Sequence, residues 1–149
     1  MTSFTEFVRD TEPRLKMALS AAFGPDLGVE GTAHALAYGW EHWARVRELG
    51  NPAGYLWGVG RNHVLRLARR RRRLVVFDSV PSAALPWVEP ALPAALGHLT
   101  ERQRVCVLLV KGLGWTLAET ADLLGIAVPS VQKHVDRGMD HLRRELGVD

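Results

Sequence analysis

The sequence predicts an all-α protein made of two small helical units joined by a Pro-rich linker, with boundaries at residues 1–73, 74–93 and 94–149. Three observations carry that reading. Apolar residues recur at spacings of three and four on both sides of the middle of the chain, and no segment shows the strict alternation of a half-buried strand. Four of the eight prolines, Pro81, Pro86, Pro90 and Pro93, crowd into residues 81–93, where Ser, Ala and single apolar residues replace the helical pattern. A chain of 149 residues with 47% apolar content is long enough for one common domain or two small ones, and apolar enough to fill their cores.

The first helix begins at Ser3, which with Glu6 makes a capping-box pattern ahead of Phe4, Phe7, Val8, Leu15 and Leu19, and it ends at Gly24-Pro25. A second helix is expected from about Glu30 to Arg45. Trp40 and Trp43 lie three apart on it, a spacing that suits one buried face better than a cradle for an extruded base. Asn51-Pro52 breaks the chain. A third helix then carries Tyr55, Leu56, Val59, Val64, Leu65 and Ala68 outward; Tyr55 and Trp57, two apart, cannot both face inward, so one is expected at the surface.

In the second unit a helix is expected from about Glu101 to Lys111. Its stretch RVCVLLV buries Cys106, the only cysteine, as a core residue and not as a reactive thiol; a lone cysteine also excludes an internal disulfide and a cysteine-rich metal site. Thr116 and Glu119 form another capping box for a helix with Leu117, Ala121 and Leu124 inward. Gly125 permits a tight turn. Pro129 suits the first turn of a last helix whose apolar stripe is Val131, Val135, Met139, Leu142 and Leu146. Two amphipathic helices around a short glycine turn, supported by a third, make a helix-turn-helix that is dimensioned for a DNA major groove. Ser130, Gln132, Lys133, His134, Arg137 and Arg144 fall off the apolar stripe. Gln132 and Lys133 can reach base edges, while Arg137 and Arg144 suit phosphates.

Charge points the same way. The formal net charge is +3, yet residues 61–73 alone carry seven arginines and no acid, five of them in the uninterrupted run Arg69 to Arg73. So dense a like charge calls for a polyanion, although a solvated helix end is the simpler alternative. No apolar run approaches the ~20 residues of a membrane span, and the N-terminus lacks the order of a secretion signal, so a cytoplasmic protein with no membrane partner is expected.

LTERQRVCVLLVKGLGWTLAETADLLGIAVPSVQKHVDRGMDHLRREL closely resembles the promoter-binding C-terminal domain of sigma factors of the small extracytoplasmic-function (ECF) class. NPAGYLWGVGRN with its arginine-rich tail, and the spacing to Trp40, resemble the later part of their other conserved domain. The resemblance implies a region-2-like bundle over 1–73 and a region-4-like helix-turn-helix over 94–149. It also implies core RNA polymerase and promoter DNA as partners, with an anti-sigma factor as a further candidate. On this resemblance Ser130, Gln132, Lys133, His134 and Arg137 lie on the recognition helix for the upstream (minus thirty-five) element. Arg61, Asn62 and the residues after them, with Arg66 and Arg69, Arg70, Arg71, Arg72 and Arg73, meet the downstream (minus ten) element near strand opening, where the arginines supply sequence-independent affinity.

This chain departs from the family pattern at three places. Glu30, then Ala33-His34, then Ala35-Leu36 stand where an acid, Gln-Glu and an apolar pair are usual, so the polymerase-docking residues Glu30, Ala33 and His34 imply weaker or rearranged docking. Arg66 replaces a common aspartate and raises the positive field. Ala127 stands where Ser or Thr usually caps the recognition helix, a loss worth about 1 kcal/mol unless Val128 and Pro129 compensate.

Catalysis is not expected. There is no phosphate-cradling Gly-Lys-Ser/Thr loop, no His-Glu-x-x-His and no nucleophile elbow, and the six histidines are scattered, so neither cofactor nor metal is expected. The competing reading is a helix-turn-helix regulator, with a segment Lys133-His134-Val135 resembling LuxR-type output domains, that does not dock productively on polymerase. A third is an interaction protein held mainly by an inhibitor.

Overall fold

The computed structural model describes residues 3–71 and 90–148, with Arg71 described by its backbone alone. All regular structure among these residues is helical: α1 (Phe4–Phe23), α2 (Pro25–Glu41), α3 (Trp43–Val46), α4 (Pro52–Arg71), α5 (Leu92–Gly97), α6 (Glu101–Val107), α7 (Leu117–Leu124) and α8 (Val128–Leu146). The all-α expectation therefore holds. A π-helical turn, Leu108–Gly112, extends α6 one residue past the expected end at Lys111. Arg72, Arg73 and the 74–89 part of the expected linker lie outside the described residues, while α5 begins at Leu92, inside the span assigned to that linker.

Capping chemistry sets the helix starts as the sequence indicates. The Ser3 hydroxyl accepts from Glu6 N at 3.2 Å while the Glu6 carboxylate accepts from Ser3 N at 3.3 Å, and Thr100 with Gln103 forms the same reciprocal pair ahead of α6.

The second helix differs from its expectation at both ends. It starts at Pro25 because Gly24 takes φ 90°, which turns the chain from α1 into α2 with no loop between them. It stops at Glu41, where His42 leaves the helical region at φ −117° and ψ 24°, and α3 is a separate single turn. The break overturns the expectation of one buried tryptophan face. Trp40 and Trp43 sit on different elements, so Trp40 is 68% exposed while Trp43 packs against the core. Both rings still meet Phe4 edge-on, each at 5.4 Å between centroids. Tyr55 is exposed and Trp57 buried, as their spacing requires.

Small residues bring α1, α2 and α4 close together. The buried face of α2 is Gly28, Gly31, Thr32, Ala35 and Gly39. A Cβ on Gly31 would lie 2.8 Å from Val64 Cγ2, and one on Gly60 would lie 2.9 Å from the Gly31 carbonyl oxygen, so these two glycines allow backbone-to-backbone approach of α2 and α4.

The two halves of the chain share one core. A single apolar cluster runs from Leu15, Ala18, Leu19 and Ala22 of α1 and Leu56 and Val64 of α4 into Val105 and Cys106 of α6, Leu109, Leu123 and Leu124 of α7, and Val131 and Val135 of α8. A satellite of Ala95, Leu96, Leu99, Val107 and Leu142 seats α5 on α8. Cys106 is fully buried, and desolvation pushes its thiol up to about 11, consistent with a core role.

Polar contacts stitch the same seam. Arg104, 6% exposed, donates from Nε and Nη2 to the Ala22 carbonyl at 3.0 and 2.6 Å and from Nη1 to the Leu99 carbonyl at 3.1 Å. Ala22 lies in the last turn of α1, whose carbonyls have no partner within the helix, so a guanidinium there satisfies both hydrogen bonding and the helix dipole. Asn51 Nδ2 donates to the Asp122 carbonyl at 2.7 Å, and Arg14 lies 4.8 Å over the Trp115 ring with Glu119 at 3.6 Å.

Candidate nucleic-acid interface

The helix-turn-helix is built by α7 and α8. Thr116 N donates to Glu119 Oε1 at 2.9 Å and Glu119 N donates to Thr116 Oγ1 at 3.0 Å, which fixes the start of α7 and holds the Glu119 carboxyl below its ordinary range. Gly125, at φ 68° and ψ 35°, closes α7 in the left-handed region that a tight turn needs. Ala127 sits at the N-cap of α8 and makes no side-chain cap bond; Pro129 in the first turn presets the helical backbone instead.

Burial on α8 follows the expected stripe. Val131, Val135, Gly138 and Leu142 face inward, with Met139 and Leu146 partly covered. A Cβ on Gly138 would lie 2.6 Å from Val107 Cγ2, so this glycine is what lets α8 lie directly on α6. Gln132, Lys133, Arg137 and Arg144 are exposed, whereas Ser130 and His134 are half-buried at the edge of the face. Burial, with Arg102, Lys133 and Arg137 nearby, lowers the His134 pKa below its ordinary value and favours the neutral imidazole.

The sequence reading did not include Asp136. It is exposed on the same face, and its Oδ1 accepts from Gln132 Nε2 at 2.8 Å. The i, i+4 spacing of these two residues was the available signal.

A second polar stripe runs along α4. Tyr55, Asn62, Arg66, Arg69 and Arg70 are all exposed, and at 100° per residue they fall on one side of the helix. The 15 residue steps from Tyr55 to Arg70 span roughly 22 Å. Tyr55 and Tyr38 hydroxyls lie 3.3 Å apart, and Arg45 donates to the Tyr38 hydroxyl, so an arginine of α3 joins two phenols at the head of this stripe.

Arg61 does not share it. Its guanidinium points across the seam and grips Glu101 with two bonds, Nε to Oε2 at 2.7 Å and Nη2 to Oε1 at 3.1 Å, and this pairing raises its pKa. The partners are 40 positions apart in sequence, so no local pattern could have indicated the bond.

The expected polymerase-docking residues form a third site. Glu30 and Ala33 are exposed on α2, and His34 lies half-buried beside α4. The His34 ring stacks flat on His63, 3.8 Å between centroids and 3° between planes, while His63 Nε2 stands 3.5 Å from Glu30 Oε1. Burial, His63 and Arg66 lower the His34 pKa. Among the described residues no group of His, Cys, Asp and Glu could hold a metal ion, and no helix is long and apolar enough to cross a membrane.

Residues 90–142, which contain α5 to α7 and most of α8, match the family model described as Sigma-70, region 4. No curated protein sequence matches the chain. Among solved structures, the sigma factor RpoE in its co-crystal structure with the anti-sigma factor NepR from Bartonella quintana is similar. Its TM-score is 0.63 at 20% identity, with 98% of this chain and 98% of that chain covered. Residues 90–142 are thus similar to sigma-70 region 4, and the chain as a whole shares the helical fold of that solved sigma factor.

Proposed function

We propose that the chain is a sigma factor of the ECF class that directs bacterial RNA polymerase to specific promoters from the cytoplasm. The observation that carries this reading is the coincidence of the region 4 match with α7 and α8, whose outward face offers Gln132, Lys133 and Arg137. In the mechanism, α8 enters the major groove of the upstream element. Gln132 and Lys133 read base edges, with Ser130 and the neutral His134 at the rim, while Arg137 and Arg144 hold phosphates. The 1–73 segment docks on core polymerase through the surface of Glu30, Ala33 and His34. Asn62, Arg66 and the arginine run meet the downstream element, and Arg61 joins them there. The protein supplies no catalysis; it positions the polymerase, and the polymerase does the chemistry. An anti-sigma factor as a controlling partner is supported by the fold shared with a sigma factor solved in such a complex.

A helix-turn-helix regulator that binds DNA without polymerase is favoured by one observation: Ala33-His34 stands where Gln-Glu is usual, and the His34 ring is taken up by stacking on His63 of α4. One experiment separates the two readings. Selection of bound fragments from random duplex DNA with core polymerase present yields two motifs at fixed spacing for a sigma factor. A single motif enriched equally with and without polymerase leaves only the regulator.

A further inference from the structure

Asp136 is an acid on a face otherwise suited to approaching phosphates. At 100° per residue it falls between Gln132, about 40° to one side, and Lys133, about 60° to the other, and all three side chains are exposed. It stands about two turns into α8, within the part of a recognition helix that reaches base edges. A carboxylate there is repelled by the phosphates of both strands and lowers affinity for every DNA sequence. The other acids of α8 are engaged, Asp140 by Arg143 at 3.4 Å and Glu145 by His98. Among the described residues Asp136 makes no ion pair, and its bond is to the neutral amide of Gln132.

That bond fixes which way the amide points. An ionised carboxylate accepts and cannot donate, so the nitrogen end of Gln132 faces it, with Nε2 at 2.8 Å from Asp136 Oδ1. One N–H of Gln132 is used there. Its second N–H and Oε1 remain, and together they are the set that a bidentate contact to adenine N7 and N6 requires. Asp136 keeps Oδ2 and its other lone pairs, an acceptor-only group. In the major groove guanine presents only acceptors, and thymine presents an acceptor and a methyl group, so neither matches a carboxylate. Adenine offers its N6 donor beside the acceptor N7, whereas the N4 amino group of cytosine stands alone. Cytosine is therefore the base that suits Asp136.

Resting on the reading of α8 as a major-groove helix, we propose that Asp136 determines specificity in two ways. Its carboxylate accepts from N4 of a cytosine in the upstream element, and it holds Gln132 in the orientation that reads an adjoining adenine. Lys133, on the other side of Asp136, is a donor matched to O6 and N7 of guanine. The acid and the lysine side by side thus favour a C·G pair in one orientation. Repulsion from phosphates weakens binding to random duplex, while a wrong base leaves the carboxylate facing an acceptor or a methyl group, and the difference between the two is selectivity.

The test is competition binding by the full chain on core polymerase, with duplexes that carry each base pair in turn at every position of the upstream motif selected from random DNA. The native chain prefers cytosine at one position and adenine beside it, each by roughly tenfold. Asp136→Ala brings both preferences to within about twofold while binding to random duplex tightens. Asp136→Asn, which still accepts from Gln132, moves the cytosine preference to adenine and leaves the neighbouring preference in place. Gln132→Ala loses the adenine preference and keeps the cytosine. Both side chains are exposed, so these variants keep the native Tm. A cytosine preference that survives Asp136→Ala, or a loss of affinity uniform over all sequences, overturns the proposal while Gln132→Ala and Lys133→Ala still alter the motif. If none of the three substitutions alters it, α8 is not the reader, and the reading on which the proposal rests fails instead.

Discussion

Arg104→Ala removes the most buried cation of the described structure, and its cost can be worked from the contacts. The guanidinium is 6% exposed and gives three hydrogen bonds to two carbonyls, those of Ala22 and Leu99. Hydrogen bonds from a charged donor contribute about 1.5–3 kcal/mol each, and buried carbonyls left without a donor add their own desolvation penalty. Part of this is offset, because burial already disfavours the charged form and lowers the Arg104 pKa. The net expectation for Arg104→Ala is a loss of about 3–5 kcal/mol, corresponding to roughly 6–20 °C in Tm at this chain length. Arg104→Met keeps much of the volume and removes the buried charge, so it is expected to lose about half as much. Urea denaturation followed by tryptophan fluorescence, with buried Trp57 as a reporter, gives both values. If Arg104→Ala stays within about 1 kcal/mol of the native chain, the guanidinium does not clasp α1 to α6 and the seam is held by apolar packing alone.

The remaining predictions address other parts of the molecule. Gly60→Ala drives a Cβ to 2.9 Å from both the Gly31 carbonyl and Leu19 Cδ1, and the expected cost is about 1–3 kcal/mol, read as a lower urea midpoint; an unchanged midpoint means α2 and α4 do not cross this closely. The His34 pKa lies below 6.5 in the folded chain, so the folded state binds fewer protons than the unfolded one below that pH; stability is full above about pH 6.5 and falls as pH drops through the folded pKa. His34→Gln removes that part of the pH dependence in a stability profile between pH 5 and 7.5. Arg69→Ala with Arg70→Ala weakens binding to all DNA sequences and flattens the salt dependence by roughly two counterions, measured by titration at several salt concentrations. Gln132→Ala and Lys133→Ala relax base preference by about 1–3 kcal/mol at particular positions of the upstream element in a competition assay; a uniform loss over all sequences assigns them to phosphates instead.

What the sequence determined by itself is the local chemistry. The capping boxes at Ser3 and Thr116, the left-handed Gly125 and the apolar stripe of α8 all appear where they were read, because each depends on residues within four or so positions of one another. The outward placement of Gln132, Lys133, Arg137 and Arg144 follows from the same stripe. The start of α2 escaped the sequence reading because its buried face is glycine, threonine and alanine, which carry little apolar signal yet permit the closest packing. Trp40 is at the surface because the buried stripe of α2 is Gly28, Gly31, Thr32, Ala35 and Gly39, and the break at His42 frees Trp43, on α3, from sharing its side. The tertiary structure alone decided the shared core of the two halves, the Arg104 clasp and the pairing of Arg61 with Glu101. Contacts between residues 40 or 82 positions apart depend on how the chain closes on itself, and neither propensity nor periodicity encodes that closure.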